Sequence, residues 1–496
     1  MLTYSEVEGL SREQLKVKLE EYIGSIDTFW DGYKRPLLRQ ARALYFFLQS
    51  GNTRYPLFGE VGTGKTKVAL DLARACGSQR LLYVTGGTNG MVEAKSQVVR
   101  HFDADTIFNL VNAETKGEVY DADVSLVAYK SLLSETFCVD RIPRGNAVKV
   151  KVNKDKVEEF YHQQLKSPEF LLLDEWHTVK QKDTVIFSII MELSRFFKHV
   201  IMMSGTPVYS NNINGNWAAR FIDLYSVFKI SNPKLTFREF TNRFKFVKHK
   251  LQFGSVWNLP DSSDLEKELR RISVIWVDKR EVPAVKEHIQ ISLFRMSSEQ
   301  RKLYERSYHS ARQLSSGFVT KKKRGVTTMQ PVATVKTRML QEIAQQLILL
   351  NEKLIVVTEY IGSQQVVLET LKDYKPLLIK AGMSFYEMER VIKDFENTYP
   401  ILVIAVKVGA LSSNLQFCNN MVFYDIPSSE INYVQMVGRI KRPIGQNDDV
   451  YLYFLAATFE ANRLLSMFKG VDAASQGIYG TTRNYHNLRR KVRVWI

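Results

Sequence analysis

The segment GEVGTGKT, residues 59–66, constrains this chain more than any other part of its sequence. It follows the apolar run YPLF at 55–58 and precedes KTKVALDLARA at 65–75, whose apolar residues recur at helical spacing. A glycine-rich loop between a strand and a helix is the context in which the pattern GxxxxGK(S/T) forms a phosphate-binding loop. Its backbone N–H groups converge on phosphates, the lysine adds positive charge and the hydroxyl can bind Mg²⁺. We therefore predict that a nucleoside triphosphate and Mg²⁺ bind through Gly59, Glu60, Val61, Gly62, Thr63, Gly64, Lys65 and Thr66.

An acidic pair completes the expected site. The segment FLLLDEWH at 170–177 is an apolar run that ends in two adjacent carboxylates. We expect Asp174 to hold Mg²⁺ through water and Glu175 to polarise the attacking water as general base, because neighbours at a strand end can reach the metal and the γ-phosphate from one edge. Such a pair alone also fits a solvated strand end. Beside a phosphate loop it predicts hydrolysis of the nucleotide.

Short apolar runs alternate with helical patterns in two separate blocks of the chain, from 55 to 174 and again from 353 to 456. This alternation is typical of stacked βαβ units around a parallel sheet. At 496 residues and 45% apolar composition the chain can bury two or three cores. We therefore predict an α/β fold with two parallel-sheet lobes.

The composition between these blocks sets the predicted domain boundaries. The stretch between the blocks is more charged than the blocks themselves and its pattern is more helical. Within the first block, the segment RIPRGNAVKVKVNKDK at 141–156 could form a basic hairpin. The predicted order is an N-terminal helical segment at 1–34, a first lobe at 35–231 with an irregular insertion at 138–166, a mainly helical and basic accessory region with a linker at 232–334, a second lobe at 335–470 and a basic tail at 471–496.

The charge balance suggests a partner. The chain has 69 Lys and Arg against 52 Asp and Glu, a formal net charge of +17. This excess favours binding to phosphate backbones through counterion release, so nucleic acid is the leading candidate partner, although an ordinary basic protein could carry the same charge.

The cysteines Cys76, Cys138 and Cys418 are too far apart to indicate a disulfide framework or a zinc ribbon. With no export signal or membrane span in the sequence, we expect an intracellular location, cytoplasmic or nucleoid-associated, or a host cell if the chain is viral.

Several motifs resemble those of superfamily 2 helicases, which have two RecA-like lobes. DEWH at 174–177 is similar to their DExH box, and the resemblance implies that His177 couples ATP hydrolysis to movement. SGTP at 204–207 is similar to the motif that links the ATP site to the nucleic-acid groove, carried here by Ser204 and Thr206.

The segment QMVGRIKRPIGQ at 435–446 resembles the superfamily's QxxGRxxRxGQ motif over its full length. The resemblance implies a site role for Gln435 and makes Arg439 and Arg442 arginine fingers of the second lobe. Planar guanidinium groups suit this role because they can neutralise charge on the γ-phosphate when the lobes close. A basic surface helix would explain the arginines but not the glutamines and the spacing.

Further segments resemble the Swi/Snf-like branch of this superfamily, in a compact form like viral or phage branch-migration helicases. LLRQARALYFFL at 37–48 resembles the segment whose glutamine reads adenine, which makes Gln40 the candidate. The segment VKVGALSSNLQ at 406–416 corresponds to motif V, where the family usually has a glycine-rich turn. This chain has serines at 412 and 413 instead, while Gly409 and Asn414 still fit the family pattern. The other segments in register are SGTPVYSNN at 204–212, ELRRISVIWVDKREVP at 268–283, ISLFRMSSEQRKLYE at 291–305 and AGMSFYEMERVIKDF at 381–395.

The resemblance implies an ATP-dependent DNA helicase or translocase that uses Mg²⁺ and unwinds or branch-migrates forked or junction DNA in replication, recombination or repair. The strand would be held mainly by its phosphates. From their positions in the family's motifs, the residues expected to contact nucleic acid are Thr85, Gly86, Tyr129, Lys130, Thr358, Tyr360, Ser412 and Asn414.

Alternative functions remain open at this point. A double-strand translocase could remodel protein–DNA complexes without separating strands. RNA could be the substrate instead of DNA, because such motors bind the sugar–phosphate backbone and do not settle the identity of the sugar. A protein of another class would use ATP only as a switch, without useful turnover. The segment NRFKFVKHKLQF at 242–253 could contact bases and backbone, or it could form a strand pair that packs its aromatic residues inward.

Overall fold

The chain forms two compact units in its computed structural model, residues 1–281 with 474–481 and residues 282–473 with 482–496. Each unit contains a seven-stranded sheet whose strands are all parallel. The structure describes residues 3–33, 35–59, 62–102, 106–111, 122–144, 147–179, 181–213, 216–250, 255–276, 285–296, 300, 308–323, 326–406, 415–441, 449–479 and 492–495.

The first unit has its sheet in the strand order β13-β1-β8-β7-β2-β4-β3. These strands are β1 (Arg54–Phe58), β2 (Leu81–Thr85), β3 (Phe108–Val111), β4 (Val124–Ala128), β7 (Phe170–Leu173), β8 (His199–Ser204) and β13 (Val274–Ile275). The helices are α1 (Tyr4–Glu8), α2 (Arg12–Ile23), α3 (Ile26–Phe29), α4 (Leu38–Ser50), α5 (Lys65–Ala75), α6 (Thr88–His101), α7 (Lys154–Glu159), α8 (Val185–Leu193), α9 (Tyr225–Ser231), α10 (Phe237–Arg243) and α11 (Ser263–Ile272). Among the described residues of this unit, three hairpins lie outside the sheet: β5 (Val139–Arg144) with β6 (Ala147–Val152), β9 (Ser210–Ile213) with β10 (Asn216–Ala219), and β11 (Val247–Lys250) with β12 (Ser255–Asn258).

The second unit has the strand order β18-β19-β17-β20-β21-β14-β22. The strands are β14 (Lys286–Phe294), β17 (Leu354–Thr358), β18 (Leu377–Ile379), β19 (Ile401–Ala405), β20 (Asn420–Phe423), β21 (Asp449–Ala457) and β22 (Val492–Trp495), with a separate hairpin of β15 (Phe318–Lys323) and β16 (Val326–Pro331). The helices that follow α11 along the chain are α12 (Tyr308–Ser315), α13 (Val335–Leu349), α14 (Ile361–Thr370), α15 (Phe385–Asn397), α16 (Glu430–Ile440) and α17 (Ala461–Tyr479).

Continuous apolar runs form the central strands because both faces of each sheet are covered. In β17, Ile355 and Val357 join one hydrophobic core while Leu354 and Val356 join the other. Successive side chains of a strand point to opposite faces, so a strand between two cores needs apolar residues throughout. The predicted α/β fold with two parallel-sheet lobes is confirmed.

The predicted accessory region at 232–334 differs from the structure. The boundary between the two units falls inside it, after residue 281. Val274–Ile275 is a strand of the first sheet, and Lys286–Phe294 pairs with Asp449–Ala457 in the second sheet. Two hairpins, β11–β12 and β15–β16, also lie in this region. This stretch was predicted to be mainly helical, whereas β13 and β14 form because each finds a partner far away in the sequence and the two hairpins pair locally.

The insertion predicted at 138–166 contains the expected basic hairpin. Strands β5 and β6 pair antiparallel from Val139↔Val152 to Arg144↔Ala147. A short helix, α7, and a π-helical turn at Phe160–Gln164 follow and lead the chain back to β7. The hairpin hypothesis is therefore confirmed, and the insertion is more regular than its composition suggested.

The segment 242–253 directs its described aromatic residues inward. Phe244 is buried and Phe246 packs against the same core, whereas Lys248 and Lys250 are exposed on strand β11. These contacts fit the strand-pair alternative for the aromatic residues.

In the tail predicted at 471–496, α17 continues to Tyr479 and Val492–Trp495 pairs with β14. Among the described residues, no helix combines the length and the apolarity that a bilayer crossing requires.

Candidate nucleotide site at the carboxyl edge of the first sheet

Three predicted motifs meet at the carboxyl edge of the first sheet. Strand β8 pairs with β1 on one side and with β7 on the other, all parallel. The residues that follow these strands therefore lie side by side at one edge. The Gly59 amide donates to the Ser204 carbonyl at 3.3 Å, which joins the phosphate loop directly to the SGTP segment.

The phosphate loop has the backbone that its glycines predict. Gly62 and Gly64 have φ values of +82° and +84°, in the left-handed region that favours glycine. Helix α5 begins immediately after Gly64, so the amides of its first turn face the loop. The Lys65 ammonium donates to the Gly59 carbonyl at 2.7 Å. Glu60 and Val61 lie outside the described residues.

Helix α4 places Gln40 against this loop. Gln40 is buried, and its side-chain oxygen accepts from the Leu37 amide at 2.8 Å. A Cβ atom on Gly64 would overlap the Gln40 side-chain nitrogen, so the predicted adenine-reading amide lies beside the loop. Whether Gln40 reads adenine stays a prediction.

Two residues that the sequence analysis missed, Arg39 and Trp276, also hold the loop. The Arg39 guanidinium donates to the Thr63 carbonyl at 3.2 Å and lies 5.5 Å from the centre of the Trp276 ring. A Cβ atom on Gly59 would lie 2.6 Å from that ring. The Trp276 ring N–H donates to the Tyr4 hydroxyl at 3.0 Å, which fixes the ring in place. Arg39 and Trp276 lie within the family-like segments 37–48 and 268–283, but neither was singled out, because their contacts with the loop depend on tertiary structure.

The two predicted magnesium ligands share a neighbour, Tyr83. Its hydroxyl donates to Asp174 Oδ2 at 3.3 Å and is hydrogen-bonded to the Thr66 side chain. Burial, and then the charge of Asp174, raise the pKa of Tyr83 well above its usual value, so the phenol stays protonated. Among the described residues no group of three or more His, Cys, Asp or Glu side chains could hold a metal ion. One hydroxyl and one carboxylate fit Mg²⁺ that takes its remaining ligands from phosphate and water.

Glu175 has an unusual backbone and a histidine partner. Its φ of +49° is in the left-handed region, which a residue with a side chain adopts only when its surroundings impose it. The turn is held by the Glu175 amide, which donates to Asp174 Oδ1 at 2.9 Å, and by the Tyr129 hydroxyl, which donates to the Asp174 carbonyl at 3.0 Å. Glu175 Oε2 lies 3.2 Å from His177 Nδ1.

His177 connects the acidic pair to the SGTP segment. The same ring nitrogen, Nδ1, lies 3.3 Å from Ser204 Oγ and 3.4 Å from Thr206 Oγ1. The Thr206 amide donates to Ser204 Oγ at 3.1 Å, which fixes the two hydroxyls relative to each other. The structure therefore brings together the four residues Glu175, His177, Ser204 and Thr206.

The candidate nucleic-acid residues differ in exposure. The side chains of Thr85, Tyr129 and Thr358 are buried, so a strand could reach these positions only through backbone atoms or neighbouring residues. Gly86 and Tyr360 are half-buried and Lys130 is exposed. Ser412 and Asn414, with Gly409, lie outside the described residues. Contact with nucleic acid at these positions stays a prediction.

In the second unit, Gln435 and Arg439 are one helical turn apart on α16, and both are buried. Residues four apart on a helix share a face, so the motif's spacing places the two side chains together. Arg442 lies outside the described residues. The proposed roles of all three stay predictions.

A buried charge network that the sequence analysis missed surrounds Tyr360. Arg312 lies 3.4 Å from Glu359, 3.3 Å from Glu460 and 5.2 Å from the centre of the Tyr360 ring. Asp425 Oδ2 accepts from the amides of Glu359 and Tyr360 at 2.8 and 3.4 Å. Burial raises the pKa of Tyr360 to about 12, so its hydroxyl stays neutral. The network fixes the backbone that follows β17.

Comparison with known proteins agrees with these motifs. Residues 95–354 match the SNF2-related domain and residues 336–443 match the helicase conserved C-terminal domain. The uncharacterized ATP-dependent helicase YqhH of Bacillus subtilis (strain 168) is 31% identical over 109 residues, which are 22% of this chain and 19% of that protein. The chain therefore matches about a fifth of that relative's length.

The fold is shared with solved structures of Dbp5 from S. cerevisiae bound to RNA and ADP BeF3. Two of these, one of them a point variant, are 13% and 14% identical to this chain. Both have a TM-score of 0.54 and cover 95% of this chain and 94% of that one. At these identities the likeness shows the fold alone.

Replacing Gly64 with alanine is expected to weaken binding of ATP. The new Cβ atom would overlap Gln40 at a φ of +84°, so the loop or the amide would have to move. Gly77→Ala is the matched control, because Gly77 has a φ of +69° with nothing within 4 Å. Isothermal titration should give a Kd for ATP at least roughly tenfold higher for Gly64→Ala than for Gly77→Ala. Equal affinities would contradict the assignment of this loop to the phosphates.

Proposed function

Because the chain belongs to the SNF2-related family of superfamily 2, we propose that it hydrolyses ATP with Mg²⁺ and uses the energy to move along DNA. One observation carries this proposal: Glu175, His177, Ser204 and Thr206 form a continuous path of contacts from the predicted general base to the SGTP segment. A protein that uses ATP only as a ligand would need no such path.

The residues of the site divide the chemistry between them. Bound Mg²⁺ and ATP would supply the phosphoanhydride bond and the positive charge that makes its cleavage possible. Thr66 and Asp174 would hold the cation, while Tyr83 keeps their oxygens in place. Lys65 would exchange the Gly59 carbonyl for oxygens of the β- and γ-phosphates. A carboxylate oxygen of Glu175 would accept the proton of the attacking water.

The preference for DNA is supported by the family resemblance, and charge does not separate DNA from RNA. The net charge of +17 suits a phosphate backbone of either kind. We therefore propose translocation on forked or junction DNA, with unwinding or branch migration as the outcome. RNA remains the second candidate, since Dbp5, which has the same fold, has been solved with RNA. Translocation along duplex DNA without unwinding is the third.

Substitution of Glu175 by glutamine tests the general base. The amide keeps the shape of the side chain but does not accept a proton at neutral pH, so turnover should fall by roughly a hundredfold or more while ATP still binds. Lys65→Ala is the companion variant and should lose hydrolysis through loss of phosphate binding. A phosphate-release assay, with binding of a fluorescent ATP analogue, separates the two. Normal turnover in Glu175→Gln would remove it as the base.

Substitution of His177 by alanine tests the coupling path. Without the ring, Glu175 and Thr206 lose their common partner, so the ratio of nucleic-acid-stimulated to unstimulated ATPase should fall by about tenfold, within the usual range of coupling energies. The control is Thr178→Ala, since the exposed Thr178 hydroxyl donates only to the Glu175 carbonyl in the described contacts. An unchanged ratio in His177→Ala would show that coupling does not pass through this ring.

An ATPase assay against several nucleic acids tests the substrate. The panel is single-stranded DNA, duplex, forked DNA, a four-way junction and RNA at one salt concentration, because affinity depends on salt. The greatest stimulation is expected from forked or junction DNA. Stimulation by RNA alone would overturn the DNA proposal, and no stimulation by any member would leave the ATP-dependent switch as the better explanation.

A further inference from the structure

The hairpin β5–β6 is fixed firmly at its base. The Asn153 amide donates to the Cys138 carbonyl at 3.0 Å and closes the end of the ladder. The Lys156 ammonium donates to the carbonyls of Glu135 and Val139 at 2.9 and 3.2 Å. Because the base is tied at several points, the orientation of the hairpin is defined before any partner binds.

The two faces of the hairpin differ in chemistry. Directly opposed residues of an antiparallel pair project to the same face, and the register alternates the faces along the strands. On β6, Val150 and Val152 pack against the core of the first unit, so the lysines between and beside them project outward. The outward face, as far as its side chains are described, consists of Asp140, Lys151, Ile142 and Lys149.

The outward face carries excess positive charge. Its acidic residue, Asp140, is bound by Lys156 at 2.9 Å and accepts from the Asn153 side chain at 2.9 Å. The negative charge of Asp140 is therefore paired with a residue at the base of the hairpin. Lys149 and Lys151 are exposed; Lys151 is opposite Asp140 and acts on its charge, but among the described residues no acidic side chain lies within ion-pair distance of either lysine. Two ammonium groups therefore remain available to an anionic partner.

We propose that the outward face of this hairpin binds the sugar–phosphate backbone of nucleic acid, outside the helicase motifs. The proposal rests on the proposed function and deepens it. Lys149 and Lys151 are two residues apart on one strand, about 6.8 Å, and a duplex strand carries a charge about every 3.4 Å along its axis. Two lysines at this spacing can contact the phosphates of one strand together.

The exposed isoleucine supports the same partner. Ile142 is directly opposite Lys149 and is 45% exposed, so its apolar side chain is accessible beside the lysine. Beside Lys149 it can contact the apolar parts of sugars and bases. A protein partner is less suited to this face, because the centres of protein interfaces are depleted in lysine.

The position of the hairpin in the sequence fits this role. Lys130 is exposed after the carboxyl end of β4, and the hairpin begins nine residues later at Val139. The hairpin thus inserts between a predicted nucleic-acid position and the strand that ends at the acidic pair, Asp174 and Glu175. A strand bound here would add backbone contacts without adding sequence preference.

The double substitution Lys149→Ala and Lys151→Ala tests the proposal. Affinity for a labelled duplex and a labelled single strand is measured by fluorescence anisotropy over a range of salt concentrations. Two lost phosphate contacts should reduce the slope of log K against log salt by about 1.8 for the duplex and about 1.4 for the single strand. The double substitution to arginine should restore the slope, because it keeps both charges.

The matched control removes two other exposed lysines of the same unit, Lys198 and Lys234. It lowers the net charge by the same amount and should leave the slope close to that of the wild type. Thermal unfolding checks that each variant is folded. If the hairpin variant and the control have equal slopes, the hairpin proposal is overturned. If the wild-type chain itself binds neither DNA nor RNA, it is the proposed function that fails.

Discussion

The parallel pairing of β8 between β1 and β7 is the constraint on which the rest of the site depends. Their registers place Phe58 beside Ser204 and Leu173 beside Met202, so the chain leaves all three strands at one edge. Gly59 is more than a hundred residues from Asp174 and Ser204 along the chain, yet all three become neighbours at this edge. Hydrogen bonds between backbones, rather than contacts between the functional side chains, bring the three motifs together. The side chains then only need to complete a site whose position is already set.

The parts of this site that could be predicted are those whose chemistry is encoded in consecutive residues. A glycine-rich loop before Lys65 and two carboxylates after an apolar strand are visible without tertiary structure, and so is the alternation of the strands themselves. The roles of Arg39, Tyr83 and Trp276 depend on pairing between distant segments. Trp276 reaches the phosphate loop only because Val274–Ile275 pairs with β1. The same reason explains why a charged stretch, predicted to be mainly helical, supplies strands to both sheets.

Buried charges hold the corresponding strand ends of the second unit. Lys336 and Asp425 are almost completely buried and 3.9 Å apart, and Ser316 donates to Asp425. Burying such groups costs free energy unless each is paired and hydrogen-bonded, so they are a poor source of stability. They do fix directions, since Asp425 accepts from the amides of Glu359 and Tyr360. In sequence these residues lie on separate segments, and nothing local marks them as a network.

The contacts of His177 suggest how a hydrolysis site can communicate with the SGTP segment. A ring nitrogen offers either one hydrogen or one lone pair, yet Nδ1 lies within 3.2 to 3.4 Å of Glu175 Oε2, Ser204 Oγ and Thr206 Oγ1. It can form a strong hydrogen bond with only one of them at a time. A shift of a few tenths of an ångström in the SGTP segment is therefore enough to change which oxygen is bound. Glu175 is also held in a left-handed backbone conformation, so the proposed general base would gain or lose its histidine partner with that choice.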